Sequence, residues 1–217
     1  MPSIRILGGD NKNAVIHFPH HEGLRPTMHR VRQSAFDMLI HRFYSQHIGQ
    51  SHTCVGLRIL DICAGLGGYG FEALSRGAAH VTFIEQIPTL AKHLSLVARS
   101  WNMADRVRVL NHSWPQAPMP GDRDAASYDV AFFDPPYGQE NAAMVAMIEA
   151  CGPWIKAGGF LMVESNGPLT EPAGLSLIFL RTIGKKHLSF FQKMHQDGAP
   201  EPQLSPMTPE ITPESTQ

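Results

Sequence analysis

The segment Asp134-Pro135-Pro136-Tyr137 combines an acid, two prolines and an aromatic ring. It directly follows an apolar run, residues 128–133, which predicts a buried strand. The carboxylate and the backbone carbonyl of Pro135 can accept the two hydrogens of an amino group, and the Tyr137 ring can stack on a planar base. The prolines stiffen the loop, so less conformational entropy is lost when a ligand binds. These four residues suit an enzyme that acts on a planar aromatic amine.

A second stretch carries a nucleotide-binding pattern. An apolar run, residues 57–62, includes Asp61 near its C-terminal end. Three glycines then follow at the spacing G-x-G-x-x-G: Gly65, Gly67 and Gly70. Such glycines let the backbone approach a ligand, and the free N–H groups of the helix that follows point at it. Glu85 comes 20 residues after Gly65, at the end of another apolar run, where an acid can bind ribose hydroxyls. Taken alone, this pattern favours a nicotinamide cofactor.

Basic residues are concentrated near the N-terminus. Residues 1–58 contain seven Arg or Lys and three acids, although the whole chain has a formal charge of −1. The segment 25–32 has the pattern R-P-T-x-x-R-V-R and opens a helical stripe of apolar residues, with Thr27 as a plausible N-cap. In isolation, three arginines here would be a solvated helix face. Together with the hairpin predicted before them and the D-P-P-Y segment downstream, they favour contact with the phosphates of RNA.

These three patterns, in this order, resemble the bacterial ribosomal small-subunit methyltransferase D family over about residues 3–192. Members methylate the N2 amino group of one guanine in 16S rRNA. The resemblance implies S-adenosylmethionine as cofactor, 16S rRNA within a small-subunit particle as partner, and a cytoplasmic location. Two alternatives remain open: an N6-adenine methyltransferase acting on DNA or RNA, and a catalytically weak RNA-binding scaffold. A dehydrogenase ranks third, because it has no use for the D-P-P-Y segment.

The resemblance also assigns residue roles. The catalytic set is Asp134, Pro135, Pro136 and Tyr137. The cofactor set is Asp61, Ala64, Gly65, Gly67, Gly70, Glu85, Gln86, Ser113, Trp114 and Asp134. The RNA-binding set is Arg25, Thr27, Arg30 and Arg32. After the third strand, related enzymes commonly place an Asp or Asn and then a small residue, whereas this chain has Ser113 and Trp114. Trp114 either stacks on the adenine or covers the sheet edge, and the sequence favours neither.

Strands and helices alternate along the chain, which predicts an α/β fold with ligand loops at the carboxyl ends of parallel strands. The resemblance specifies a Rossmann-like class I methyltransferase. Its mostly parallel seven-stranded sheet has a final antiparallel strand and is preceded by an N-terminal β-hairpin and helix. We expect an RNA-contacting extension over residues 1–45, the methyltransferase domain over 46–194 and a disordered tail over 195–217. The tail is rich in Pro, Ser, Thr and Glu and has little to bury.

Cysteine and histidine usage gives no sign of a metal site. The three cysteines, Cys54, Cys63 and Cys151, are scattered without a C-x-x-C pair, as expected for a reducing cytoplasm. The twelve histidines show no metal-ligand spacing. No apolar run reaches membrane-spanning length. We therefore expect a protein without metal or membrane partners. We also expect a monomer.

Overall fold

The computed structural model describes residues 3–18, 29–43, 52–117, 126–135 and 141–194. The chain begins with two short antiparallel strands, β1 (Ser3–Arg5) and β2 (Val15–His17). A helix, α1 (His29–Met38), continues into a π-helical turn over Leu39–Phe43. The predicted N-terminal hairpin and helix are thus confirmed.

Seven strands form the main sheet: β3 (Arg58–Ile62), β4 (His80–Ile84), β5 (Val107–Leu110), β6 (Tyr128–Phe133), β7 (Ile155–Ser165), β8 (Leu175–Ile183) and β9 (Lys186–Lys193). Their spatial order is β5-β4-β3-β6-β7-β9-β8. Neighbours from β5 to β7 are parallel, whereas β9 runs antiparallel to both β7 and β8. The prediction of a mostly parallel seven-stranded sheet with a final antiparallel strand is confirmed.

Among the described residues, three helices connect the parallel strands: α2 (Gly68–Ser75), α3 (Pro88–Ser100) and α4 (Asn141–Glu149). Short 3-10 turns, Ala104–Arg106 and Gly152–Trp154, precede β5 and β7. The chain moves outward from β3 to β5 and then returns to the other side of β3 as β6. In parallel α/β sheets, such a reversal opens a crevice at the carboxyl ends of the two central strands. The topology therefore predicts a ligand site at the ends of β3 and β6.

Side chains of the central strands alternate between two hydrophobic clusters, one on each face of the sheet, because successive strand residues point to opposite sides. Ile59 and Phe132 belong to the cluster under α1, α2 and α3, which we call the α2 face. Leu60 and Phe133 belong to the cluster under α4, which we call the α4 face. The first cluster also contains Ile4 of the hairpin, so the N-terminal segment shares a core with the sheet.

Glu72 of α2 holds the N-terminal segment against the sheet. Its fully buried carboxylate accepts hydrogen bonds from the Leu7 amide and from Arg76 Nε, both at 2.8 Å. Packing is close where the hairpin meets the end of α2, because a Cβ on Gly9 would lie 1.8 Å from the Ser75 carbonyl oxygen. A charged group this deeply buried is stabilised only by such partners. The N-terminal segment and α2 are thus held together by buried hydrogen bonds and by close packing.

The predicted segment limits near residue 45 and at residue 195 fall outside the described residues, as does the predicted disorder of 195–217. These limits stay predictions. In the described segments, no helix combines the length and the apolar character needed to cross a membrane.

Candidate cofactor and substrate site

Four acidic side chains lie at the carboxyl ends of neighbouring parallel strands: Asp61 (β3), Glu85 (after β4), Asp134 (after β6) and Glu164 (β7). The alternation of strand residues directs all four toward the α2 face, since each is two positions beyond a residue of that cluster. The carboxyl edge of the sheet therefore concentrates negative charge, which suits a ligand that carries positive charge.

The glycine loop joins β3 to α2 in the way that its pattern predicts. Gly65 and Gly67 have positive φ angles of 52° and 70°, which lie in the left-handed region that favours glycine. Gly67 is also the N-cap of α2. At Gly70, a Cβ would lie 2.2 Å from the Phe83 ring, so only glycine lets α2 pack this closely on β4. The loop backbone is thus shaped by its glycines, whereas its contact with a cofactor stays a prediction.

Glu85 orders the glycine loop. Its Oε2 accepts a hydrogen bond of 2.6 Å from the Gly65 amide, and its Oε1 accepts one of 2.7 Å from the Ile87 amide. The residue is 4% exposed. Each carboxylate oxygen has two lone pairs, so both can accept a further hydrogen bond from a ribose hydroxyl. Ala64, also in the predicted cofactor set, is buried and donates its amide to the Ile84 carbonyl at 3.0 Å.

Asp61 links the end of β3 to the first turn of α2. Its Oδ2 accepts a hydrogen bond of 2.8 Å from the Gly70 amide. Burial raises the pKa of this carboxyl well above its ordinary value, and the charges of Asp134 and Glu85 raise it further. The amide of Gly70 acts in the opposite direction. An ammonium group bound here would stabilise the ionised form, because opposite charges in a buried site favour ionisation.

The ends of β4 and β5 are tied together by Asn111, which the sequence analysis did not include in the site. Its side-chain amide donates to the Glu85 carbonyl at 2.8 Å and to the Gln86 carbonyl at 3.0 Å. The predicted residues Gln86 and Ser113 are exposed, and the Ser113 hydroxyl donates to Gln86 Oε1 at 3.2 Å. An Asn directly after an apolar strand was the available signal for Asn111. These side chains form a polar rim beside Glu85.

Trp114 packs into the core of the α4 face. It is 8% exposed, its indole N–H donates to the Met147 carbonyl at 3.0 Å, and its ring meets Trp154 edge-on at 6.0 Å between centroids. The peptide bond to Pro115 is cis. These contacts favour the alternative in which Trp114 covers the sheet edge over the one in which it stacks on adenine.

Only half of the predicted catalytic segment is described. Asp134 follows β6 as a half-buried residue, and Pro135 is buried. Pro136 and Tyr137 lie outside the described residues. Asp134 is close enough to Asp61 for its charge to raise the Asp61 pKa, so the predicted substrate and cofactor acids share one region.

Arg32 is the clearest correction to the sequence analysis. It was predicted to contact RNA phosphates, but its side chain is completely buried. Its Nε lies 3.6 Å from Glu72 Oε2, and its Nη2 donates to the Arg5 carbonyl. Burial lowers the pKa of the guanidinium, while Glu72 acts in the opposite direction. A side chain with this position cannot contact a phosphate outside the protein, so the RNA role predicted for Arg32 is wrong.

The structure describes one of the three other residues that were predicted to contact RNA. Arg30 lies on α1 with an exposed side chain, as the prediction requires, but no contact with RNA is tested. Arg25 and Thr27 lie outside the described residues. The buried face of α1 explains the difference between Arg30 and Arg32. This face is wider than the stripe that Val31 and Ala35 define, and it includes Arg32.

Tyr69 is a second residue that the sequence analysis missed. Its ring stacks on Phe132, with centroids 4.7 Å apart and planes 8° from parallel. Its buried hydroxyl has no hydrogen-bond partner among the described residues. Burial raises the Tyr69 pKa well above its ordinary value, with further contributions from Asp134 and Glu164. No sequence signal marks Tyr69, because the direction of its side chain depends on how α2 packs on β6.

Residues 4–192 match the family described as Conserved hypothetical protein 95. The chain is 30% identical over 184 residues to the Haemophilus influenzae protein named Ribosomal RNA small subunit methyltransferase D, covering 83% of this chain and 89% of that protein. It is 29% identical over 196 residues to the Escherichia coli protein of the same name, covering 89% and 91%.

Solved structures agree with this relationship. The structure of the putative methyltransferase yhhF from Escherichia coli superposes with a TM-score of 0.71 at 28% identity, covering 90% of this chain and all of that one. An RNA methyltransferase from Salinibacter ruber in complex with S-adenosylhomocysteine gives a TM-score of 0.57 at 14% identity, covering 82% and 97%, which supports the Rossmann-like fold. The chain therefore belongs to the bacterial ribosomal small-subunit methyltransferase D family.

Proposed function

We propose that this protein transfers a methyl group from S-adenosylmethionine to the N2 amino group of a guanine in 16S rRNA. The observation that carries the proposal is the convergence of Asp61, Glu85 and Asp134 at the carboxyl ends of three adjacent strands, around the glycine loop. The family relationship supports the same activity, since relatives that cover most of this chain carry the name of a small-subunit rRNA methyltransferase.

The described residues fit this cofactor. Gly65 and Gly67 shape a loop whose backbone can approach the amino-acid part, and Asp61 offers a carboxylate to its ammonium group. Glu85 offers its remaining lone pairs to the two ribose hydroxyls. Gln86 and Ser113 lie at the rim where the adenine would be held. Bound S-adenosylmethionine supplies an activated methyl group for direct displacement by a nucleophile.

The amino group of guanine is a poor nucleophile, because its lone pair is delocalised into the ring. Asp134 and the carbonyl of Pro135 can accept its two hydrogens, which orients the nitrogen lone pair and increases its electron density. Asp134 can then accept the proton that the nitrogen releases as its new bond to carbon forms. Tyr137 would stack on the base. Catalysis of this kind depends mainly on positioning and needs no covalent enzyme intermediate.

The test is a comparison of 16S rRNA from cells with and without this protein. We expect mass mapping of nucleosides to show one guanine that loses an N2 methyl group in the deletion strain and regains it when the wild-type gene is restored. Loss of N6-methyladenosine instead would support the adenine alternative. Unchanged methylation in both RNA and DNA would contradict the proposed activity.

Asp134→Ala provides the matching test of mechanism. Because Asp134 faces the amine in this proposal, the variant should restore no methylation and should bind S-adenosylhomocysteine nearly as well as the wild type. Calorimetry of the purified variant measures the second quantity. An equal loss of cofactor binding would show that Asp134 holds the cofactor and not the amine.

A further inference from the structure

Strand register places Glu164 beside Asp134. Phe133, the last residue of β6, pairs with Val163 of β7, so the residues that follow them, Asp134 just after β6 and Glu164 on β7, leave this pair at the same level. Neighbouring strands are about 4.8 Å apart. Both side chains point to the α2 face, where the buried hydroxyl of Tyr69 is influenced by the charge of each. Glu164 is thus adjacent to the acid that faces the substrate amine in the proposed function.

The two oxygens of Glu164 have different surroundings. Oε1 forms an ion pair of 2.8 Å with Nζ of Lys186, which belongs to the antiparallel strand β9. Oε2 is buried and has no hydrogen-bond partner among the described residues, and the Glu164 side chain is only 3% exposed. A buried carboxylate oxygen without a donor is unfavourable, and such atoms in native proteins call for an explanation. A donor on a ligand would supply the missing hydrogen bond.

We infer that Glu164 recognises the N1–H group of the guanine whose N2 amine is held by Asp134, and that Lys186 faces its O6. The inference rests on the proposed function. The strand order β6-β7-β9 presents an acceptor, an acceptor and a donor: Asp134, Glu164 Oε2 and Lys186 Nζ. The pairing edge of guanine presents the complementary series: N2–H, N1–H and O6.

The same arrangement disfavours adenine. If the amine of adenine occupied the position at Asp134, the unprotonated N1 of the adenine ring would face Glu164 Oε2. Two hydrogen-bond acceptors would then meet with no hydrogen between them. Sites built to bind a donor strongly reject analogues that lack it, because the buried protein group is left unpaired. Glu164 therefore provides selection for guanine that the D-P-P-Y segment alone does not provide.

The test uses 2,6-diaminopurine, which keeps the N2 amine but has an acceptor at N1 and a donor at C6. After the methylated guanine has been mapped, small-subunit particles are reconstituted from 16S rRNA that carries either guanine or 2,6-diaminopurine at that position. Single-turnover methylation of both RNAs is measured for the wild type, for Glu164→Gln and for Glu171→Gln. Glu171 is an exposed acid that accepts a hydrogen bond from the Leu177 amide and has no role in the proposed site, so it serves as the matched control.

The introduced amide can keep its carbonyl oxygen toward Lys186 and donate its NH2 group to the N1 of 2,6-diaminopurine. We expect the guanine-to-diaminopurine rate ratio to fall by about tenfold or more in Glu164→Gln, with unchanged affinity for S-adenosylhomocysteine. Glu171→Gln should keep the wild-type ratio. An equal fall on both RNAs, up to complete loss of both, would overturn the inference, because a structural carboxylate has no base preference. A wild-type protein that methylates no guanine would instead overturn the proposed function.

Discussion

The Gly65 amide donates a hydrogen bond of 2.6 Å to Glu85 Oε2, so the acid at the end of β4 holds the loop that follows β3. The other oxygen, Oε1, accepts the Ile87 amide at the start of α3. One carboxylate therefore fixes the backbone on both sides of the strand-end crevice. In the proposed function, it also binds the cofactor ribose.

Replacing Glu85 should weaken cofactor binding. Glu85→Ala removes a charge-assisted acceptor for the ribose and releases the Gly65 amide, so we expect roughly 1–3 kcal/mol weaker binding of S-adenosylmethionine. Isothermal calorimetry measures this change. Asp105→Ala, at an exposed acid of the 3-10 turn before β5, should leave the affinity unchanged. Wild-type affinity in Glu85→Ala would remove Glu85 from the cofactor site.

Asp61 should make both stability and binding depend on pH. Its folded pKa is raised, chiefly by burial, so the folded protein retains this proton to a higher pH than the unfolded chain does. Its contribution to the free energy of unfolding is therefore present below the ordinary carboxyl pKa of 3.8 and is lost as pH rises through the raised folded pKa. Denaturant titrations of the wild type and Asp61→Asn across that window measure the contribution.

Cofactor binding should show the opposite trend. An ammonium group next to Asp61 favours the carboxylate, so S-adenosylhomocysteine affinity should increase as pH rises through the folded pKa, with release of a proton. The pH dependence should be smaller in Asp61→Asn. If the wild type and the variant had identical pH profiles, Asp61 would not be the group that meets the ammonium.

The two described arginines of the basic segment should behave differently. Arg30 is exposed on α1, so Arg30→Gln should reduce the slope of log affinity for rRNA against log salt by about 0.7–0.9, the effect of losing one phosphate contact. An unchanged slope would make Arg30 part of an ordinary solvated face.

Arg32 should matter for folding instead. Arg32→Met leaves Glu72 with one fewer buried cation, and breaking a buried ion pair costs about 3–5 kcal/mol. Urea unfolding measures this loss. Because Arg76 also pairs with Glu72 at 2.8 Å, the lower end of that range is expected. A fully stable Arg32→Met variant would contradict a structural role for the pair.

Trp114→Phe separates packing from cofactor stacking. The variant keeps an aromatic ring but removes the indole N–H bond to the Met147 carbonyl, so it should be destabilised by about 1–3 kcal/mol with unchanged S-adenosylhomocysteine affinity. Thermal unfolding and calorimetry measure the two quantities. Weaker cofactor binding at wild-type stability would restore the stacking alternative.

The sequence by itself determined the sheet and the positions of its acids. The apolar runs 57–62 and 128–133 predicted β3 and β6 within a residue of their observed limits. Asp61, Glu85 and Asp134 were identifiable because the carboxyl ends of parallel strands share one edge of a sheet. The glycine pattern likewise marked Gly70, whose need for a close approach to Phe83 is local to one strand-helix unit.

Only the tertiary structure decided where the remaining polar side chains point. Arg32 and Glu72 are 40 residues apart in the chain, so their burial against each other depends on how the hairpin and α1 pack on α2. Trp114 joined the core of the α4 face because Met147 and Trp154 meet it there. Glu164 became a neighbour of Asp134 through the pairing register of β6 and β7. Local composition fixes which residues form strands, but contacts between distant segments fix which polar atoms are satisfied and which are left for a ligand.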